Sequence, residues 1–202
     1  MDNVVALMLA NPVNRAILDR LPDLGLPEAC LVAGALAQSV WNGLDRRAPQ
    51  AGIKDYDIFY FDAADIGWEA EDAAIRKVRT ALADLAVEID VKNQARVHLW
   101  YEARFGVPVA PLRSALDGVA MFPVRGTCLA LQHGADGPVL HAPYGTAALE
   151  AGLLADNPNC PDRSAFRGKA ESYRARWPWL RIVEDSIVED GGGQPSSSSV
   201  SQ

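Results

Sequence analysis

The chain has 202 residues, 49% of them apolar and 22% charged, with a net charge of −7. These totals fit a soluble globular protein of one domain or two small ones, and no apolar run approaches the length of a membrane span. Four of the negative charges fall in residues 184–202, which hold no Lys or Arg, so residues 1–183 carry −3. That mildly acidic body argues against broad wrapping of nucleic acid, which needs phosphate-neutralising basic surface.

Met1-Asp2-Asn3 lacks the basic start of a secretory signal, so a cytoplasmic location is expected. Cys30, Cys128 and Cys160 are odd in number and widely spaced, which gives neither a disulfide framework nor a zinc site. They are read as small buried hydrophobes.

Residues 3–10 predict a short helix. Asn11-Pro12 then reads as an N-cap followed by proline at the first helical position, and Pro22 ends the second helix. Residues 29–34 predict a buried strand ending in a glycine turn. A helix follows over 35–44, with Leu36, Val40, Trp41 and Leu44 at helical spacing. Gly34 is therefore a strand-to-helix joint. Backbone N–H groups at a helix start favour phosphate, and a glycine lets a ligand approach the main chain; a plain tight turn is the other reading.

After a polar loop, residues 53–62 read as a strand in which Asp55 and Asp57 precede Ile58-Phe59-Tyr60-Phe61. Residues two apart on a strand share a face, so the two carboxylates point the same way with Cα atoms roughly 6.5–7 Å apart. They repel each other unless a cation lies between them, and Mg²⁺ held by carboxylates and substrate phosphates is the usual arrangement. A solvated strand start with two surface acids is the alternative.

A helix is predicted over 69–85, with Glu69, Glu71, Asp72, Arg76, Lys77 and Arg79 as a solvated face. Val87, Ile89 and Val91 alternate with Glu88, Asp90 and Lys92, which predicts a half-buried strand. That strand could bring a third carboxylate to the first two, or its acids could face water. Residues 95–105 are predicted helical, and Ser114 caps a helix over 115–122. Strands over 124–131 and 138–142 flank the turn at 134–137, and a helix is expected over 146–154. His133 and His141 end that hairpin without a third ligand spaced to help them hold a metal.

Residues 162–176 predict a basic helix. From 162 to 181 six Lys or Arg face two acids, a local charge of +4. Arg163 and Arg167 share a face that could guide a polyanion or an acceptor substrate, with a solvated face as the alternative. Trp177-Pro178-Trp179-Leu180 reads as an aromatic plug, and the polar tail, 184–202, as disordered.

The order of strand, Gly34-Ala35, helix, Asp55-x-Asp57 strand, helix and Asp90 strand resembles the nucleotidyltransferase superfamily related to DNA polymerase β. It looks most like the head of tRNA CCA-adding enzymes. More narrowly, Val91-Lys92-Asn93-Gln94-Ala95-Arg96-Val97-His98, with Ala142-Pro143-Tyr144-Gly145 and Trp177-Pro178 downstream, resembles a bacterial nucleotidyltransferase-like family formerly listed as a domain of unknown function. The match covers about residues 10–183.

The resemblance implies an α/β (α+β) fold, a mixed sheet with flanking helices. Residues 1–110 would be the core, 111–183 a helical and hairpin extension, and 184–202 a disordered tail. It implies transfer of an NMP from an NTP, by a two-metal mechanism with Mg²⁺ or Mn²⁺, to a hydroxyl acceptor that could be a small molecule, a protein or RNA. Asp55, Asp57 and Asp90 would be the catalytic carboxylates and metal ligands. Gly34, Ala35, Gln38, Ser39, Lys92, Asn93 and Arg96 would contact the nucleotide. The superfamily usually has Gly or Ser where Ala35 stands, so loss of a hydroxyl or of backbone freedom at the phosphates is expected there. Asp90 is preferred to Glu88 for its place just before Val91-Lys92-Asn93, and a change of strand register would reverse that choice. A catalytically weak nucleotide-binding or regulatory module of the same fold is the alternative, and toxin–antitoxin chemistry adding NMP to RNA or protein is a third reading.

Overall fold

The structure, a computed structural model, describes residues 2–183. The expected disorder of 184–202 lies outside the described residues.

Helices α1 (Asp2–Ala10) and α2 (Pro12–Arg20) form a packing layer. Asn11 caps α2, accepting from Val13 N at 2.9 Å, with Pro12 at the first helical position. Strand β1 (Cys30–Val32) is buried on both faces and feeds α3 (Gly34–Leu44), which is buried from Gly34 to Asn42. Strand β2 (Asp55–Tyr60), helix α4 (Trp68–Ala81) and strand β3 (Glu88–Asn93) form a parallel strand–helix–strand crossover. Helices α5 (Val97–Phe105) and α6 (Ala115–Val119) follow, then the hairpin β4 (Ala130–Gly134) and β5 (Gly137–His141). Helix α7 (Ala147–Glu150), strand β6 (Leu153–Ala155), helix α8 (Ala165–Arg176) and strand β7 (Arg181–Val183) complete the order.

The main sheet runs β3-β2-β1-β4-β5, and only the β2–β3 pair is parallel. The sheet is thus shared between residues before and after 110, because β4 pairs with β1. Its two faces differ in chemistry. Tyr56, Ile58, Tyr60, Ile89 and Val91 point into the larger hydrophobic core, with the α1–α4 layer. The opposite face of β2 and β3 carries Asp55, Asp57, Phe59, Glu88, Asp90 and Lys92 in alternation. A smaller cluster of Cys30, Val32, Ala115 and Val119, with Phe59 and Phe122 against it, covers part of that face. The carboxylates lie where this cover stops.

Departures from the sequence reading include two stretches. Residues 125–127 form a 3₁₀ turn instead of strand, because Thr127 N–H and hydroxyl both bond Val124 O at 2.8 Å. The helix expected over 146–154 ends at Glu150. Gly152 turns the chain at φ +66, where an added Cβ would meet Trp179 at 2.2 Å, and Leu153–Ala155 pairs in parallel with Arg181–Val183. All three cysteines are buried, and desolvation pushes the Cys30 and Cys128 thiols up to about 12, which leaves them unreactive.

Candidate active site

The parallel register of β2 and β3 sets Asp90 beside Asp57 and Glu88 beside Asp55. Aligned residues of paired strands share a face, so four acids stand on one surface. Glu88 is exposed and lines none of the clefts described below, whereas Asp57 and Asp90 both line one. Burial first, then repulsion from Asp55 and Asp90, raises the Asp57 carboxyl from its ordinary 3.8 to about 6; Lys169 and Lys92 act in the opposite direction. Negative charge on Asp57 is thus disfavoured, which is an electrostatic setting a cation relieves. As the side chains stand, no group of three His, Cys, Asp or Glu among the described residues converges closely enough to hold a metal ion. Lys92 Nζ instead donates to Asp90 Oδ1 at 2.6 Å. The donor chemistry is of a kind that could hold a divalent cation, through Asp55 and Asp57, while Asp90 is held by Lys92.

Beyond Asp55 and Asp57 lies the joint between β1 and α3. Ala33 holds it at φ 52, ψ −117, a backbone conformation suited to glycine. Ala33 N–H bonds Leu129 O at 2.9 Å and its own carbonyl accepts from Ala37 N at 3.1 Å. The N–H groups of Gly34, Ala35 and Leu36 then begin the helix without acceptors inside it. A cleft of about 170 Å³ opens at this helix start, lined by Gly34, Gln38, Asp55, Asp57, Lys169 and Arg176. Its polarity is that of an anion site whose mouth carries carboxylates.

Helix α8 supplies the cations. Lys169, Ser172, Tyr173 and Arg176 are at i, i+3, i+4 and i+7, one face of the helix, and all four line the cleft. Arg176 is tied down by three acceptors: Gln38 Oε1 at 2.7 Å, Gly52 O at 2.8 Å and Ser172 O at 3.2 Å. Lys169 and Arg176 both stand over the Tyr173 ring, at 5.5 and 5.4 Å. Sequence reasoning singled out Arg163 and Arg167 within this basic stretch. Arg163 instead pairs with Asp156 and Asn157 O, and Arg167 with Glu171. The heptad spacing of Lys169 and Arg176 was the available signal.

Of the remaining sequence-derived candidates, the structure brings Gly34 and Gln38 to the cleft and Lys92 to Asp90. It sets four elsewhere. The Ala35 methyl is packed in the main core, so the residue type there does not reach the cleft and only its N–H can. The conformationally demanding position at this joint is Ala33, with φ 52. Ser39 is buried on the core-facing side of α3. It donates to Ala35 O at 2.7 Å and accepts from Asn11 and Asn14 at 3.1 and 2.9 Å. Asn93 holds the ends of β2 and β3 together, accepting from Asp62 N and Ala95 N at 3.0 and 3.1 Å and donating to Asp62 O at 2.8 Å. Arg96 is an internal ion partner of Glu71 and donates to Ile66 O at 2.8 Å. Glu71 is accordingly buried, not part of a solvated face, and also accepts from Asn93 N at 2.8 Å.

A second cleft, of about 260 Å³, adjoins Asp57 and Asp90 and includes five aromatic rings in its lining. Asp57 borders both clefts.

A family model described as nucleotidyltransferase matches residues 19–182. A solved structure described as an NMR structure revealing a CCA-adding enzyme head domain is similar, with a TM-score of 0.72 and 21% identity, over 91% of this chain and 95% of that one. At that identity the likeness speaks for the fold: a mixed sheet with flanking helices, as in a nucleotidyltransferase head. No curated protein matches the chain.

Proposed function

The chain belongs to the nucleotidyltransferase family, and from that premise we propose that it moves an NMP group from an NTP to a hydroxyl acceptor across the Asp55, Asp57 and Asp90 face. The observation that carries the reading is the position of Asp57. It is paired with Asp90 by register and borders a cationic, glycine-floored cleft on one side and a second cleft on the other. In this reading the β- and γ-phosphates lie over the Gly34 helix start, with Lys169 and Arg176 taking their charge. Lys92 leaves Asp90 as substrates enter, and Asp90 then accepts the proton of the acceptor hydroxyl. The acceptor oxygen forms a bond to the α-phosphorus while the bond from that phosphorus to the β-phosphate oxygen breaks. Pyrophosphate departs with its charge held by α8. Asp55 and Asp57 would hold a divalent cation, which would supply charge neutralisation for the displacement. An NTP substrate suits a cytoplasmic location, and no helix among the described residues is long and apolar enough to cross a membrane.

Calorimetry tests the reading. Each NTP is titrated with Mg²⁺ or Mn²⁺ into wild type and into the double variant Asp55→Ala/Asp57→Ala. Metal-dependent binding that disappears in the double variant is expected, and a folded wild type that binds no NTP would refute it. The Lys92–Asp90 pair favours a second reading, a nucleotide-binding module with weak catalysis. Nucleotide binding without pyrophosphate release in a lysate of candidate acceptors would select it.

A further inference from the structure

We propose that the cleft beside Asp90 is the acceptor site and that its acceptor is a small aryl alcohol or phenol, not an RNA end. The inference rests on the nucleotidyl-transfer reading above. If Asp90 takes the proton, the acceptor oxygen must lie next to it, and the cavity that reaches both Asp90 and Asp57 is this one.

Its walls name the chemistry. Phe59 and Phe122 stack with centroids 5.5 Å apart and planes tilted by 30°. Tyr101 lies 4.6 Å from Phe105 and 5.8 Å from Trp100. These five rings all line the cavity, and aromatic faces and edges are the surfaces on which a planar ring packs best. The volume, about 260 Å³, suits one or two fused rings; an apolar cavity of roughly 150 Å³ already holds benzene.

Charge separates this occupant from a polynucleotide. Backbone recognition needs cations in excess along the path of the strand. This lining has two, Lys92 and Arg104, against three carboxylates, Asp57, Asp90 and Asp162. Lys92 is already paired with Asp90, and Arg104 stacks on Phe105 at 5.3 Å. The cations of the site, Lys54, Lys169 and Arg176, line the other cleft. The two clefts are thus divided between a polyanion and a flat, weakly charged hydroxyl compound.

The experiment uses the full chain with Mg²⁺ and a saturating α,β-methylene NTP analogue. Tyrosol and 2-naphthol are titrated by calorimetry, and a short RNA ending in CCA and a tyrosine-containing peptide are titrated alongside. Binding of an aryl alcohol, weakened at least tenfold by Met121→Trp, is expected. Leu112→Trp fills the same cavity from another segment and should act alike. Circular dichroism melts establish that each variant is folded. With an [α-³³P]NTP in place of the analogue, label should pass to the aryl alcohol and fail to do so in Asp90→Asn. Normal nucleotide binding with no aryl-alcohol binding, or with label passing to the RNA or peptide instead, would overturn this inference alone. Aryl-alcohol binding that survives both filled variants would also overturn it. A wild type that binds no nucleotide would bring down the reading beneath it.

Discussion

Replacing Asp57 by Asn should make the metal-free protein more stable while abolishing metal-dependent nucleotide binding. Asn keeps the shape of the side chain and removes the charge that burial, Asp55 and Asp90 disfavour. The displacement of the Asp57 carboxyl from 3.8 to about 6 corresponds to roughly 3 kcal/mol at 1.36 kcal/mol for each unit. Partial solvation of the group trims this to roughly 1–3 kcal/mol. In a protein of this size that is a rise of roughly 2–10 °C in melting temperature. The sign with pH is set by linkage. The folded state holds the Asp57 proton more tightly than the unfolded state, so wild type loses this increment of stability as pH rises from about 4 to about 6. The variant's advantage should therefore be small near pH 4, grow through that window and level off above it. Thermal melts at pH 4, 5, 6 and 7.5 without divalent cations give the comparison. A second series with Mg²⁺ and NTP should raise the wild-type melting temperature and leave the variant's unchanged. A variant no more stable than wild type at pH 7.5, or one whose advantage does not change with pH, would refute the electrostatic argument for the cation site.

Ser39→Ala removes the acceptor of two buried amide donors, Asn11 Nδ2 and Asn14 Nδ2. It should cost roughly 1–3 kcal/mol in urea unfolding while leaving the NTP dissociation constant within about twofold; a selective loss of nucleotide affinity would return Ser39 to the site. Ala33→Gly relieves a non-glycine residue at φ 52 and should gain roughly 1 kcal/mol, net of the added freedom of the unfolded chain. A lower melting temperature would show that the Ala33 methyl, packed in the smaller cluster, outweighs the strain. Arg176→Lys keeps the charge but loses the planar fork that reaches Gln38, Gly52 and Ser172. About tenfold weaker NTP binding is expected, and unchanged affinity would confine Arg176 to holding the 45–52 loop.

The elements around the site were legible where local periodicity decides them. The alternation in β2 and β3 assigns one face to the core and the other to Asp55, Asp57 and Asp90, and the Asn11-Pro12 cap marks α2 because its chemistry is complete within three residues. Elements fixed by distant partners were not legible in this way. Glu71 has the spacing of a solvated helical face; what buries it is Arg96, 25 residues later. Residues 153–155 continue a helical pattern, yet become a strand because Arg181–Val183 offers them an edge and Trp179 closes over Gly152.

The same distinction explains the divided outcome at the candidate site. Asp55 and Asp57 could be placed on one face from the strand period alone, whereas Asp90 joins them only through the family resemblance, its periodicity fitting a water-facing acid equally; the parallel pairing of β2 and β3 is what sets it beside Asp57. The phosphate side depends on rotation, which composition does not record. Helix α3 turns Gly34 and Gln38 toward the cleft and Ala35 and Ser39 away from it, and the glycine that marks the joint in sequence follows the residue, Ala33, that bears the unusual backbone angle. Helix α8 presents residues 169, 172, 173 and 176, and its phase against α3 is set by Trp41 packing edge-on to Tyr173 at 5.0 Å and by Trp177 Nε1 donating to Asn42 at 2.8 Å. The aromatic plug is therefore also a positioning device. By locking the end of α8 to α3, it holds Lys169 and Arg176 opposite the Gly34 helix start, so the cations of one segment and the carboxylates of another share a cleft.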